Sequence, residues 1–187
     1  MNAYDFDQTI FQPDSSYCFV MFCLRRHPLS LLKTLPGVTD TGLRLLLKKA
    51  DTKALKERIF AFLPALEDVD AEVAAFWRQH RANLEPWYLA QRRPDDLIIS
   101  ASPEFLLRPI AGELGVELIA TVMDKHTGQI IGENCHDTAK VRRFRELYGD
   151  AAPERFYSDS LSDSPMAKIS ESAFLVDKGK ISPWPGK

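Results

Sequence analysis

The spacing of apolar positions changes character twice along the chain. Residues Asn2 to Phe6 read as a short strand that runs into the acidic turn Asp5-Phe6-Asp7-Gln8-Thr9. From Asp14 to about Arg81 apolar residues recur at three- and four-residue intervals, the period of an amphipathic helix, with starts at Asp14, Pro28, Asp40, Asp51 and Asp70. Pro36-Gly37, Pro64 and Pro86 punctuate this stretch, and nothing in it reads as a strand. From Asp96 the signal alternates: Leu97-Ile98-Ile99 is a buried strand, Ser102-Pro103 opens a helix that ends near Gly115, and Val116 to Val122 is the next strand. Thr127-Gly128 marks a turn, Asp137 caps a helix to Tyr148-Gly149, and Phe156-Tyr157 is a short strand. A last helix and the strand Ala173 to Val176 complete the series. Strands separated by helices predict an α/β fold with a doubly wound, Rossmann-like parallel sheet, whose sites lie at the carboxyl ends of the strands. The helical stretch is then an insertion after the first strand, with residues 1–12 and 91–187 forming the core and 13–90 the insert.

Composition narrows the class without changing the picture. At 187 residues, 45% hydrophobic and 27% charged, the chain can hide roughly 70% of its unfolded surface and needs no disulfide or zinc staple. A net charge of -2 supplies no basic field for nucleic acid, which is not an expected partner. Cys18, Cys23 and Cys135 form no CxxC pair and no zinc-like cluster with the histidines, which fits a reduced, cytoplasmic setting. The apolar run Tyr17 to Leu24 stops at Arg25-Arg26, far short of the roughly 20 residues that span a bilayer. No integral membrane segment and no signal peptide is expected, so the mature chain is expected to begin at Met1.

The candidate chemistry lies at the strand ends. Asp5 and Asp7 follow the first strand, and Asp159 and Asp163 follow Phe156-Tyr157. Four carboxylates at one sheet edge repel one another, and without a cation some are forced towards protonation. Magnesium is the natural counter-ion, because it takes oxygen ligands from one or two carboxylates, water and substrate phosphate. Ser100 ends the strand Leu97-Ile98-Ile99, Thr9 follows the acidic turn, and Lys140 lies in the first turn of the helix after Asp137. A helix amino end and an ammonium both attract phosphate. A carboxylate nucleophile, a second carboxylate for proton transfer and a cationic clamp amount to phosphomonoester hydrolysis through an acyl phosphate.

In sequence order, DFDQT at Asp5 to Thr9, IIS at Ile98 to Ser100, Lys140 within NCHDTAKVRRFREL and DSLSD at Asp159 to Asp163 resemble the four motifs of haloacid dehalogenase-like hydrolases. The insert directly after the first motif resembles the helical cap of the phosphoserine-phosphatase-like branch. The resemblance implies Asp5 as nucleophile, Asp7 as general acid and base, Thr9 and Ser100 as phosphate contacts, and Lys140 as charge stabiliser. It also implies magnesium held by Asp5, the backbone carbonyl of Asp7 and Asp159, with Asp163 in support. Gln8 stands where many relatives have glycine, and His136-Asp137 stand where relatives often carry one. Asp14, nine positions after Asp5, occupies the place of a substrate-binding glutamate in phosphoserine phosphatases, and it reads equally as a helix N-cap.

Arg25, with Arg26 and His27, is a second candidate for substrate contact, against a solvated helix end. Ser102 reads as the N-cap before Pro103, with phosphate contact through its hydroxyl as the alternative. Phe60, Phe62, Phe76, Trp77, Trp87 and Tyr88 read as helix packing, and His80 and His126 as surface residues. Two other functions remain open: a phospho-accepting signalling domain, which also uses an acidic pocket, a hydroxyl and a lysine, and a peripheral membrane or lipid-head-group module built on Tyr17 to Leu24 and Leu29 to Leu35. The expected partner is a small phosphomonoester, and no feature sets the oligomeric state.

Overall fold

In the computed structural model, which describes residues 1–28 and 53–186, the chain begins at the centre of its sheet. Strand β1 (Asn2–Tyr4) is buried along its whole length and pairs in parallel with both β2 (Leu97–Pro103) and β4 (Arg155–Ser158). Strand β3 (Glu117–Thr121) adds in parallel outside β2, and β5 (Ser172–Asp177) outside β4. A last strand, β6 (Lys180–Pro183), closes the order β3-β2-β1-β4-β5-β6 antiparallel to β5. The strand order therefore reverses at β1, and a doubly wound sheet opens its ligand crevice at the carboxyl end of that switch point. Asp5 is the next residue.

Four helices lie between β1 and β2 among the described residues: α1 (Ser15–Arg26), α2 (Lys53–Phe60), α3 (Val69–His80) and α4 (Pro86–Gln91). Asp14 caps α1 by accepting the Tyr17 N–H at 2.7 Å. The cap of α3 is Asp68, which accepts the Ala71 N–H at 3.0 Å, two residues before the expected start at Asp70. The starts expected at Asp40 and Asp51 lie outside the described residues. Helices α5 (Glu104–Leu114), α6 (Thr138–Tyr148) and α7 (Ser164–Ile169) alternate with the later strands as the period change predicts. Strand β2 runs on to Pro103 through a register irregularity after Ser100, so α5 starts one residue later than Ser102-Pro103 implied and has no side-chain cap. Strand β6 was not expected: it is exposed at all four positions and shows no hydrophobic alternation, and its hairpin turns through Lys178 and Gly179 at φ 49° and 79°.

Alternation along the strands sorts side chains into two cores. Leu97, Ile99 and Phe156 face α6 and α7 with Phe144 and Met166. Ile98 and Tyr157 face the other side, in one continuous cluster with α5 and the inserted helices. The aromatic residues of the insert belong to that cluster: Phe19 packs edge-on to Phe76, and Phe60 edge-on to Phe105 of α5. Trp77 donates its indole N–H to the Leu106 carbonyl at 2.7 Å. The stripe Phe19, Val20, Phe22 and Cys23 is thus buried in packing rather than offered to a membrane, while Leu29 to Leu35 lie outside the described residues.

A hairpin after β3 clasps α2 from the core side. Glu57 accepts the Ile130 N–H at 2.9 Å, and Lys53 donates to the Gly132 carbonyl at 3.1 Å. The turn at Gly128 has φ 75°, and a Cβ there would stand 2.4 Å from the Phe60 carbonyl oxygen. Gly128→Ala combines a left-handed backbone penalty of roughly 1–2 kcal/mol with displacement of a helix end. The variant is expected to lower the thermal midpoint by several degrees; an unchanged midpoint would mean that the hairpin does not hold α2.

Candidate active site

The switch point assembles a polar cavity of about 460 Å³ whose walls include Asp5, Asp7, Asp14, Lys56, Ser100, Ser102, Lys140, Asp159 and Asp163. Asp5 continues the β1 ladder by donating its N–H to the Tyr157 carbonyl at 2.8 Å, which fixes its side chain at the sheet edge. The chain then wraps around buried Phe6, whose carbonyl accepts the N–H groups of Ile10 and Phe11, both at 3.0 Å. Gln8 takes φ 58° in this wrap, a left-handed conformation for which glycine is the unstrained residue. Asp137, with φ 53° and ψ -124°, holds another such position at the start of α6 and makes no side-chain cap bond. Both departures from the resembled motifs are thus places where a side chain is carried on a backbone suited to glycine.

Lys140, only 2% exposed, reaches from the first turn of α6 to Asp5 Oδ1 and Asp163 Oδ2, each at 2.7 Å. Ser158 donates to the same Asp163 oxygen at 2.8 Å. An ammonium has three N–H groups, so one remains beyond this bridge. Asp5 Oδ2 accepts no hydrogen bond from the described residues, and Asp5 is one of the residues that border the cavity. Asp7 is held differently: Oδ1 accepts the Ser15 N–H at 2.6 Å, and Oδ2 accepts the Ser102 hydroxyl at 2.5 Å. Ser100 lines the cavity and accepts the Ser102 N–H at 3.1 Å.

Burial pushes the carboxyls of Asp5, Asp7 and Asp159 up to about 7, with repulsion from neighbouring carboxylates adding to each. For Asp5 the Lys140 ammonium opposes that rise without cancelling it. The donors are all oxygen, and among the described residues no three acidic, histidine or cysteine side chains already converge on one point. Such a site fits a hard divalent cation that takes two carboxylates, Asp5 and Asp159, with the Asp7 carbonyl, and fills the rest of its shell from water or phosphate.

A test follows from the sign of these shifts. The folded protein binds protons on these carboxyls that the unfolded chain, near 3.8, has already released. Stability without a cation is therefore lost as pH rises from about 4 to 7, then levels. A bound cation must displace those protons at low pH and has none to displace above 7. The gain in thermal midpoint from millimolar divalent cation is expected to grow between pH 5 and pH 7.5; a gain independent of pH would contradict the cation fit.

Two expected site residues do not border the cavity. Thr9 is fully buried, and its hydroxyl accepts the Asp159 N–H at 2.9 Å, so it ties the first acidic turn to the second. Arg25 lies exposed on the last turn of α1, away from the lining residues, while its neighbour Arg26 pairs with Glu72 at 2.8 Å. Asp14 both caps α1 and lines the cavity, which accommodates both readings of it. Ser102 caps nothing; its hydroxyl belongs to Asp7.

Lys56 was missed. It is 5% exposed and donates to the Ala101 carbonyl at 2.5 Å and to Asn134 Oδ1 at 2.9 Å, with no carboxylate of a described residue within ion-pair distance. Its signal was a lysine one turn before Ile59 and Phe60, on the buried face of α2. Burial lowers its ammonium to about 8, against the pull of Asp14 and Asp7.

A doubly wound sheet with an Asp-x-Asp pair at its switch point and a lysine bridging two buried aspartates points to a hydrolase that works through aspartates. The family model of haloacid dehalogenase-like hydrolases matches residues 3–168, and the chain belongs to that family. It is similar to Protein CicA of Caulobacter vibrioides, with 28% identity over 203 residues that cover 95% of this chain and 86% of that one. The fold is similar to a protein of unknown function from Bordetella pertussis Tohama I, with a TM-score of 0.77 and 24% identity over all of this chain and 91% of that one. A phosphoserine phosphohydrolase-like protein from Francisella tularensis shares the fold at a TM-score of 0.56 and 13% identity, over 92% of this chain and 86% of that one.

Proposed function

We propose that the chain is a magnesium-dependent phosphatase that hydrolyses a small phosphomonoester through an aspartyl phosphate on Asp5, beneath a cap formed by residues 13–90, whose described parts, 13–28 and 53–90, are mainly helical. The observation that carries the reading is the division of labour between the two aspartates. Asp5 lines the cavity with one oxygen fixed by Lys140 and the other without a hydrogen bond from the described residues, whereas both oxygens of Asp7 are engaged by α1 and β2. Asp5 Oδ2 attacks phosphorus, the ester P–O bond breaks, and Asp7 protonates the departing oxygen. Water then attacks the phosphorus, gives its proton to Asp7, and the Asp5 carboxylate leaves. The remaining N–H of Lys140 and the Ser100 hydroxyl face the phosphoryl oxygens. Asp5, Asp159 and the Asp7 carbonyl would hold magnesium, which would supply Lewis-acid neutralisation of the phosphoryl charge.

Asp14 and Lys56 belong to the segment assigned to the cap and supply the contacts to the leaving group. The residues that line the cavity are polar or charged apart from Ala101, which favours a leaving group rich in hydroxyl, carboxyl or amino groups. A panel of phosphoserine, sugar phosphates, nucleotides and lipid head-group phosphates, assayed with magnesium and after chelation, tests the reading. Turnover that vanishes on chelation is expected, together with a rise in KM of about tenfold in Lys56→Met, the worth of one charged hydrogen bond. No turnover across the panel, with a long-lived label from acetyl phosphate, would favour the phospho-accepting signalling domain instead.

A further inference from the structure

We infer that Ser102 is a positioning residue for proton transfer, aligning the Asp7 carboxyl through a hydroxyl relay that starts at Ser16 of α1; the inference rests on the phosphatase reading above. The hydroxyl of Ser102 has a single proton, and the 2.5 Å contact to Asp7 Oδ2 takes it. Towards Ser16 Oγ, 2.9 Å away, Ser102 can therefore only accept, so Ser16 is the donor. Ser15 Oγ stands 3.4 Å off as a longer second donor. All three hydroxyl residues are buried, at 0% to 4% exposure, and Ser16 and Ser102 meet water only where they line the cavity.

The two bonds to Asp7 differ in kind. The Ser15 backbone N–H can donate but never accept, so Oδ1 stays an acceptor throughout the cycle. A proton carried by Asp7 therefore belongs on Oδ2, where the partner is a hydroxyl that can rotate from donor to acceptor. As the ester P–O bond breaks, that proton swings from Ser102 to the departing oxygen and is transferred to it, Asp7 becomes a carboxylate, and Ser102 turns its own proton back to Oδ2. A backbone N–H in place of Ser102 would oppose the protonated form. Ser102 lies in the cavity wall, and the role assigned to it is exercised through its bond to Asp7.

Departing alcohols need a proton and departing nitrophenolate does not, which separates positioning from general structural damage. In single-turnover reactions with magnesium, Ser102→Ala is expected to slow release of glycerol from glycerol phosphate by about 10- to 100-fold, part of the usual worth of general acid catalysis. Its KM for that ester should stay within about twofold, and release of nitrophenol from p-nitrophenyl phosphate should change less than about threefold, because neither quantity draws on proton donation. Ser102→Thr keeps the hydroxyl and should restore most of the alkyl-ester rate. Ser16→Ala, which leaves Ser102 in place, should show the same selectivity at smaller size, and guards against a Ser102→Ala protein that does not fold. Equal slowing of both esters in an active preparation, or no rescue by threonine, overturns the assignment alone. A wild-type protein inert on both esters overturns the phosphatase reading and the assignment with it.

Discussion

Asp5→Asn is expected to remove turnover by on the order of 10⁴-fold or more, the scale on which loss of a covalent nucleophile is felt, while leaving the fold as stable as before. The amide keeps an oxygen where Lys140 donates to Oδ1 at 2.7 Å, but it has no electron pair able to form an acyl phosphate. Stability is the less obvious half. Asp5 is buried among Asp7, Asp159 and Asp163, and its carboxyl is driven up to about 7, so ionisation there opposes folding when no cation is bound. Removing the charge at pH 8 in the presence of chelator should hold or raise the thermal midpoint. Near-native turnover in purified Asp5→Asn would end the covalent mechanism, and a collapsed midpoint would show that the carboxylate is structural.

Lys140→Met should fail on both counts. The ammonium is the common partner of Asp5 and Asp163, and its pKa is raised by those two charges in spite of burial. Its removal leaves two buried carboxylates facing each other, and breaking such a pair costs about 3–5 kcal/mol. Part of that cost returns if one carboxyl takes up a proton, so the loss should be larger at pH 8 than at pH 5.5. Turnover should fall on the order of 10³-fold, the scale of a deleted charge stabiliser. Denaturant unfolding at both pH values checks the first statement and steady-state rates the second. A midpoint unmoved at pH 8 would mean that the bridge adds nothing to stability.

The parts of this site legible in the sequence are those fixed by local chain geometry. A strand end followed by Asp-x-Asp puts two carboxylates at a sheet edge whatever packs around them, and Asp5, Asp7, Ser100, Lys140, Asp159 and Asp163 all border one cavity. The parts that were misread depend on contacts between distant segments. Thr9 follows the acidic turn as a phosphate contact would, yet its hydroxyl meets the Asp159 backbone 150 positions away. Ser102 before Pro103 fits the rule for helix starts, but β2 continues past it and the hydroxyl turns to Asp7. Lys56 and Arg25 both lie on helices of the insert, and periodicity could not say which reaches the cavity. Packing buried the one in α2 and left the other exposed on α1. Among the strands, β6 escaped because an edge strand with no buried face has no alternation to read.

The central claim is that Asp5 carries the phosphoryl group, and chemical trapping tests it most directly. Wild-type protein quenched during turnover with magnesium and a substrate from the panel, then reduced with borohydride, should contain homoserine in place of aspartate at position 5 and nowhere else. Asp7→Asn, which slows breakdown of the intermediate, should raise the yield. Recovery of unmodified Asp5 alongside rapid phosphate release, or homoserine at Asp7, Asp159 or Asp163, would contradict the account.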